Sequence, residues 1–187
     1  MTTKPTLRGT RITLRPIRLD DIDAYLALMQ DEEGLRLTGT QTTGFSREQT
    51  ERWITTIAER DDRVDLAIVP HDTSDLIGEV VLNEIDTTNR SANIRIGIRT
   101  PYTGQGYGSE AMRLMLGYAF DQLRLHRVDL EVFAFNPRAL HVYEKLGFRR
   151  EGVRREVLYL DGTYHDSIVM GMLEDEYRAM HAAQSNA

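Results

Sequence analysis

A chain of 187 residues with 41% hydrophobic and 28% charged side chains has the length of one domain and the composition of a globular one, which excludes fibrous and disordered classes. It contains no cysteine, so disulfides, thiolate metal sites and a cysteine nucleophile are excluded. Its formal charge of −6, from 23 Lys+Arg against 29 Asp+Glu, argues against general affinity for nucleic acid or anionic membrane and suits a cationic substrate better.

Residues 1–5 lack the apolar run of a signal peptide, and no apolar stretch approaches the roughly 18 residues that a membrane helix needs. A soluble cytoplasmic protein is expected. Residues 11–15 alternate like a half-buried strand, and Asp20 is placed to cap a helix on which Ile22, Tyr25, Leu26 and Met29 share one face. The Thr- and Gly-rich stretch 38–44 reads as a loop that borders a pocket. Ser46 and Gln49 then form a capping box for a helix carrying Trp53, Ile54 and Ile57. The acidic clusters Asp20-Asp21-Ile22-Asp23, Asp31-Glu32-Glu33 and Glu174-Asp175-Glu176 read as solvated helix faces before they read as attractors of a polyamine or basic peptide.

Residues 64–69 and 76–85 are β-rich and joined by a polar turn at 71–75; a second turn at 87–90 leads into 92–99, giving a three-stranded meander. Residues 110–123 read as a helix, apolar on most sides and therefore buried against a sheet. Residues 128–134 form a further strand. Asn136 and Pro137 open a short helix as N-cap and first helical residue, and Gly147 stops it. Asp161-Gly162 is a hairpin turn between residues 148–160 and 164–173. The polar tail after Tyr177 is expected to fray. The whole, residues 1–187 with a core at about 10–173, reads as a single domain of the α+β or mixed α/β class.

Two segments carry chemistry. Thr103-Gly104-Gln105-Gly106-Tyr107-Gly108 joins a strand to a helix, so its N–H groups and the helix N-terminus can cradle an anion such as pyrophosphate. No Gly-Lys-Ser/Thr follows, and the spacing is not G-x-G-x-x-G, which excludes the P-loop and dinucleotide patterns. Alone, this loop serves a structural turn equally well. In the run from Asn136 to Phe148, Ala139 and Tyr143 stand four apart on one helical face, with Asn136 at the mouth. A small residue beside the tyrosine leaves room for a ligand arm, and the Asn amide suits amide-bearing pantetheine.

Together these motifs resemble the general amine N-acetyltransferase (GNAT) superfamily, in which Q/R-x-x-G-x-G/A binds pyrophosphate and N-x-x-A-x-x-x-Y-x-x-x-G-F carries the second half-site. The likeness runs through Leu14-Arg15-Pro16, Ile77-Gly78-Glu79, Tyr118-Ala119-Phe120 and Asp166, and is similar to the branch of ribosomal-protein alanine and spermidine N-acetyltransferases. It implies a single mixed, mostly antiparallel sheet with helices on both faces, acetyl-CoA as acyl donor, an amine acceptor (protein N-terminus, polyamine or other small amine) and a homodimer as the candidate assembly. It assigns the donor to Thr103, Gly104, Gln105, Gly106, Tyr107, Gly108, Ser109 and Asn136, and oxyanion stabilisation to the backbone of Ile96, Gly97 and Ile98. Thr103 departs from the pattern: it replaces a long side chain that holds the phosphates.

An alkylamine with a pKa near 10.4 needs a base before it attacks a thioester, and the departing thiolate, near 8.5, needs an acid. The resemblance gives Glu84 as the base, with Glu79 or ordered water in reserve, and Tyr143 as the acid. The alternative reading is a non-catalytic acyl-CoA sensor of the same fold. His71, His126, His141, His165 and His181 show no ligand spacing, so no metal is expected; Met112, Met115 and Trp53 read as core.

Overall fold

The computed structural model describes residues 4–40, 44 and 46–185. The elements in order are β1 (Leu7–Arg8), β2 (Ile12–Pro16), α1 (Ile22–Met29), α2 (Glu32–Leu37), α3 (Arg47–Ile57), β3 (Val64–Pro70), β4 (Gly78–Asp86) and β5 (Ser91–Ile98), followed by α4 (Tyr107–Gly117), β6 (Arg127–Phe133), α5 (Pro137–Lys145), β7 (Arg149–Leu160), β8 (Thr163–Leu173) and α6 (Glu174–Ser185). One eight-stranded sheet has the order β1-β2-β3-β4-β5-β6-β8-β7. Every pairing is antiparallel except β5 with β6. This is the mixed, mostly antiparallel sheet expected.

Helices cover both faces, and β3 displays the reason in its sequence. All seven of its residues are buried; Leu66 and Ile68 pack with α4 on one face, while Ala67 and Val69 pack with α1 and α3 on the other. A strand covered on both sides reads as a continuous apolar run rather than an alternating one. On α4, Ala111, Met112 and Met115 are fully buried, as its apolar sequence predicted. The helix begins at Tyr107, earlier than the expected Glu110, because Gly106 at its N-cap turns left-handed with φ 88°. A π-helical turn over Tyr118–Gln122 ends it.

The parallel pair opens the sheet. β5 and β6 are in register only from Ser91 with Arg127 to Asn93 with Asp129. Beyond that point β6 stays paired to β8 as far as Phe133, and β5 stays paired to β4 as far as Ile98. The two strands therefore diverge, and the β5 edge from Arg95 to Ile98 has no strand beside it.

Several elements differ from expectation. Asp20 does not cap α1: a helical turn over Leu19–Asp21 precedes the helix, no side chain caps α1, and the Asp21 carboxylate accepts from Arg18 N and from Arg15 Nη1 and Nη2, each at 2.7 Å. The short helix α2 interrupts the region ahead of the 38–44 loop, of which residues 41–43 lie outside the described residues. The tail expected to fray forms α6 instead. Its acidic first turn suits the helix dipole, Glu176 accepts from Leu173 N at 3.0 Å, and Tyr177 stacks on Phe120 at 4.7 Å.

Candidate active site

A cavity of about 930 Å³ occupies the opening between β5 and α5 and continues beneath α1, α2 and α3. One end of it is lined by the glycine loop. Gly104 (φ 74°) and Gly106 (φ 88°) both hold left-handed backbone, which L side chains adopt only with strain; nothing lies within 4 Å of where a Gly104 Cβ would stand. The loop thereby leaves the N–H groups of Tyr107, Gly108 and Ser109, the unpaired first turn of α4, without a side-chain cap; Gly104, Gly106, Gly108 and Ser109 line the cavity, whereas Gln105 and Tyr107 do not. Gln105 Nε2 donates to Pro101 O at 3.0 Å, and Thr103 Oγ1 to Thr100 O at 2.9 Å, folding the segment on itself. Thr100 is tied in turn to the Asp31 carboxylate through its backbone N and, at 2.6 Å, its hydroxyl.

Sequence reasoning missed Arg11. From the residue just before β2 its Nη1 donates to Gln105 O at 2.7 Å, and its guanidinium lies 4.5 Å from the centre of the Tyr107 ring. Thr103 removes one long side chain from the loop; Arg11 brings another to its outer side. No local signal linked Arg11 to the loop, because it lies 94 residues from Gln105.

On the opposite wall, α5 presents Asn136, Ala139, Val142 and Tyr143 to the cavity. Asn136 Oδ1 accepts from Ala139 N at 3.1 Å as the N-cap, and its amide N–H groups make no bond to a described residue. Tyr143 stands edge-on to Phe148, 6.1 Å between ring centres. Its hydroxyl has no partner among the described residues, and burial pushes its pKa up to about 12.

Between these walls runs the free edge of β5. Arg99 N donates to Ile77 O at 2.9 Å, toward β4. Backbone N–H groups alternate along a strand, so those of Ile96 and Ile98 point the other way, into the opening. Gly97 has nothing within 4 Å of its Cβ position, so a side chain there would project into open cavity.

Glu79 stands directly across from Gly97 on β4 and lines the same cavity. Tyr25 Oη donates to its Oε2 at 3.0 Å. Burial, reinforced by neighbouring Asp65 and opposed by the Tyr25 bond, raises Glu79 to about 7. Tyr25 stacks on Trp53 at 5.0 Å, and Leu28 and Met29 continue this apolar wall. Glu84, by contrast, is exposed on a bulge between Asn83 and Asp86, with φ 54°, and is not among the lining residues. Among the described residues no cluster of His, Cys, Asp or Glu could hold a metal ion, and no helix is long and apolar enough to cross a membrane.

The parallel pair thus splays beside the glycine loop, with the unpaired N–H groups of β5 between them. Residues 11–149 match the model of the acetyltransferase (GNAT) domain. An SPbeta prophage-derived uncharacterized N-acetyltransferase of Bacillus subtilis is 28% identical over 92% of this chain and 96% of its own length. A spermidine N(1)-acetyltransferase of Vibrio cholerae is 36% identical over 59% of this chain and 64% of its own. The crystal structure of the spermidine N-acetyltransferase from Vibrio cholerae in complex with CoA and spermine superposes with a TM-score of 0.84 at 27% identity, covering 91% of this chain and 99% of that one.

The chain belongs to the GNAT acetyltransferase family, as its motifs implied. It is an acetyl-CoA-dependent enzyme that transfers an acetyl group to an amine.

Proposed function

We propose that acetyl-CoA enters the opening between β5 and β6 and that an amine bound beneath α1 and α3 attacks its thioester directly. Glu79 is the base and Tyr143 the acid. The N–H groups of Tyr107, Gly108 and Ser109 receive the diphosphate, with Arg11 holding the loop in shape, and the Asn136 amide donates to the pantetheine arm. The backbone N–H groups of Ile96 and Ile98 are aimed where the thioester oxygen gains charge, so they stabilise the transition state more than the ground state.

The proton balance runs across the cavity. Glu79 takes one proton from the ammonium, the free amine forms the N–C bond, the C–S bond breaks as Tyr143 protonates the departing thiolate, and the second nitrogen proton, shed as the neutral amide forms, returns to the Tyr143 phenolate. A carboxylate near 7 is a better acceptor at neutral pH than one at its ordinary value of 4.5. The burial that raises Tyr143 keeps it protonated; a thiolate beside it is raised by the same burial, which narrows the gap for transfer.

The observation carrying this reading is that Glu79 and Tyr143 line one cavity with the free β5 edge between them. It favours Glu79 over Glu84, whose exposed bulge position offers no access to that edge. Thiol release from acetyl-CoA, followed across peptides, polyamines and small amines, tests it. Turnover with any amine is expected; acetyl-CoA binding with no release for any acceptor would instead support a sensor.

A further inference from the structure

The wall around Glu79 holds two carboxylates and two guanidinium groups. Arg63 clamps Asp65 through bonds of 2.8 and 2.6 Å, with the two side chains 16% and 2% exposed, so this buried pair adds no net charge. Arg95 lies across from Val81, two residues along from the Glu79–Gly97 pair and therefore on the same face of the sheet. It lines the cavity, and its guanidinium makes no hydrogen bond or ion pair to any described residue.

Glu79 and Asp65 against Arg63 and Arg95 leave this end without net negative charge. Glu33 of α2 borders an adjoining recess that shares Leu37, Thr100, Thr103, Asn136 and Arg138 with the cavity and holds none of the residues around Glu79. A polyamine buries several ammonium groups, each needing its own anionic or hydrogen-bonding partner, and this wall has one carboxylate to spare, already assigned to proton transfer. The remainder is apolar: Leu28, Met29 and the Tyr25–Trp53 stack.

We infer that the acceptor is a monoamine with an apolar body and a hydrogen-bond-accepting oxygen close to its amine, the arrangement found in an apolar α-amino acid or a peptide that begins with one. Glu79 faces the amine, Arg95 holds the oxygen, and the aromatic stack covers the body. A carboxylate would take Arg95 in a two-point charge-assisted pair and a peptide carbonyl in a single bond. This rests on the N-acetyltransferase reading above and departs from the spermidine preference in the names of several relatives.

The test measures thiol release from acetyl-CoA with phenylalanine, phenylalanine amide, phenylalanyl-alanine, phenethylamine and spermidine, for the intact chain and for Arg95→Ala. The expected result is a kcat/KM at least about tenfold higher for an oxygen-bearing amine than for phenethylamine or spermidine, roughly the worth of one charge-assisted hydrogen bond. Phenylalanine leading identifies a free amino acid; the amide and dipeptide leading identify a peptide N-terminus. Arg95→Ala should bring the ratio over phenethylamine close to one, chiefly through KM, and Arg95→Lys should keep part of it. Spermidine matching or exceeding the other amines, or a ratio unmoved by Arg95→Ala, overturns the inference while the acetyltransferase reading stands. Acetyl-CoA binding by calorimetry with no thiol release for any amine overturns both.

Discussion

Tyr25 and Glu79 are joined by a 3.0 Å hydrogen bond from the phenol to the carboxylate, made 54 residues apart in sequence and across the interface between α1 and β4. The bond favours the ionised carboxylate; burial and Asp65 favour the neutral one and outweigh it, leaving the group near 7. A base with that pKa gives kcat/KM an ascending limb centred near pH 7. Tyr25→Phe keeps the stack on Trp53 but loses the donor, so the limb should move to higher pH. A pH–rate profile in which it moved down or stayed fixed would contradict the assignment.

Stability should follow the same titration with the opposite consequence. A carboxyl raised from 4.5 to about 7 in the folded state contributes stability that is fully present below pH 4.5 and is lost as pH rises through 7. Glu79→Gln removes the titration. Thermal melts at pH 8 should show the variant more stable by about 2 kcal/mol, on the order of the shift discounted for partial exposure, with the difference vanishing near pH 4.5.

Tyr143 has no hydrogen-bonding duty among the described residues, so Tyr143→Phe should leave the helix and its contact with Phe148 intact. As a proton donor it contributes roughly 10²-fold or more to turnover. Steady-state kinetics should therefore show kcat falling by about that factor with the KM for acetyl-CoA little changed. A loss confined to KM would make Tyr143 a packing residue.

At the glycine loop the expectations have opposite signs. Arg11→Ala removes the 2.7 Å bond to Gln105 O and should weaken acetyl-CoA by about 1 kcal/mol, roughly fivefold in Kd. Thr103→Arg restores a cation facing the cavity and should tighten it. Calorimetric titration with acetyl-CoA checks both.

Features encoded within a few residues were legible in the sequence. Asp161 and Gly162 hold φ 53° and 79°, the pair of positive angles that an Asp-Gly turn supplies; Ser46 with Gln49, and Asn136 with Pro137, cap their helices as read. The opening of the sheet was not legible, since nothing in residues 91–98 marks where β6 departs. Which acid serves the site was harder still. Both faces of β4 are covered, so alternation, which already sets Glu84 opposite Glu79 and Val81, could not tell which face meets the cavity. Arg11, Tyr25 and Arg95 gain their roles from strand and helix neighbours distant in sequence. Residues 32–37 read only as part of an acidic cluster; Asp31 caps that helix through Gly34 N at 3.0 Å and ties it to Thr100, a contact no local pattern announces.

The central claim is that Glu79 accepts the amine's proton, and one comparison tests it most directly: kcat/KM as a function of pH, at saturating acetyl-CoA, for the intact chain, Glu79→Gln and Glu84→Gln. The account predicts that Glu79→Gln lowers the rate by at least about 10²-fold and erases the limb near pH 7, while Glu84→Gln stays within about twofold, as for a surface substitution, and keeps the limb. A limb that survives in Glu79→Gln and disappears in Glu84→Gln would contradict it.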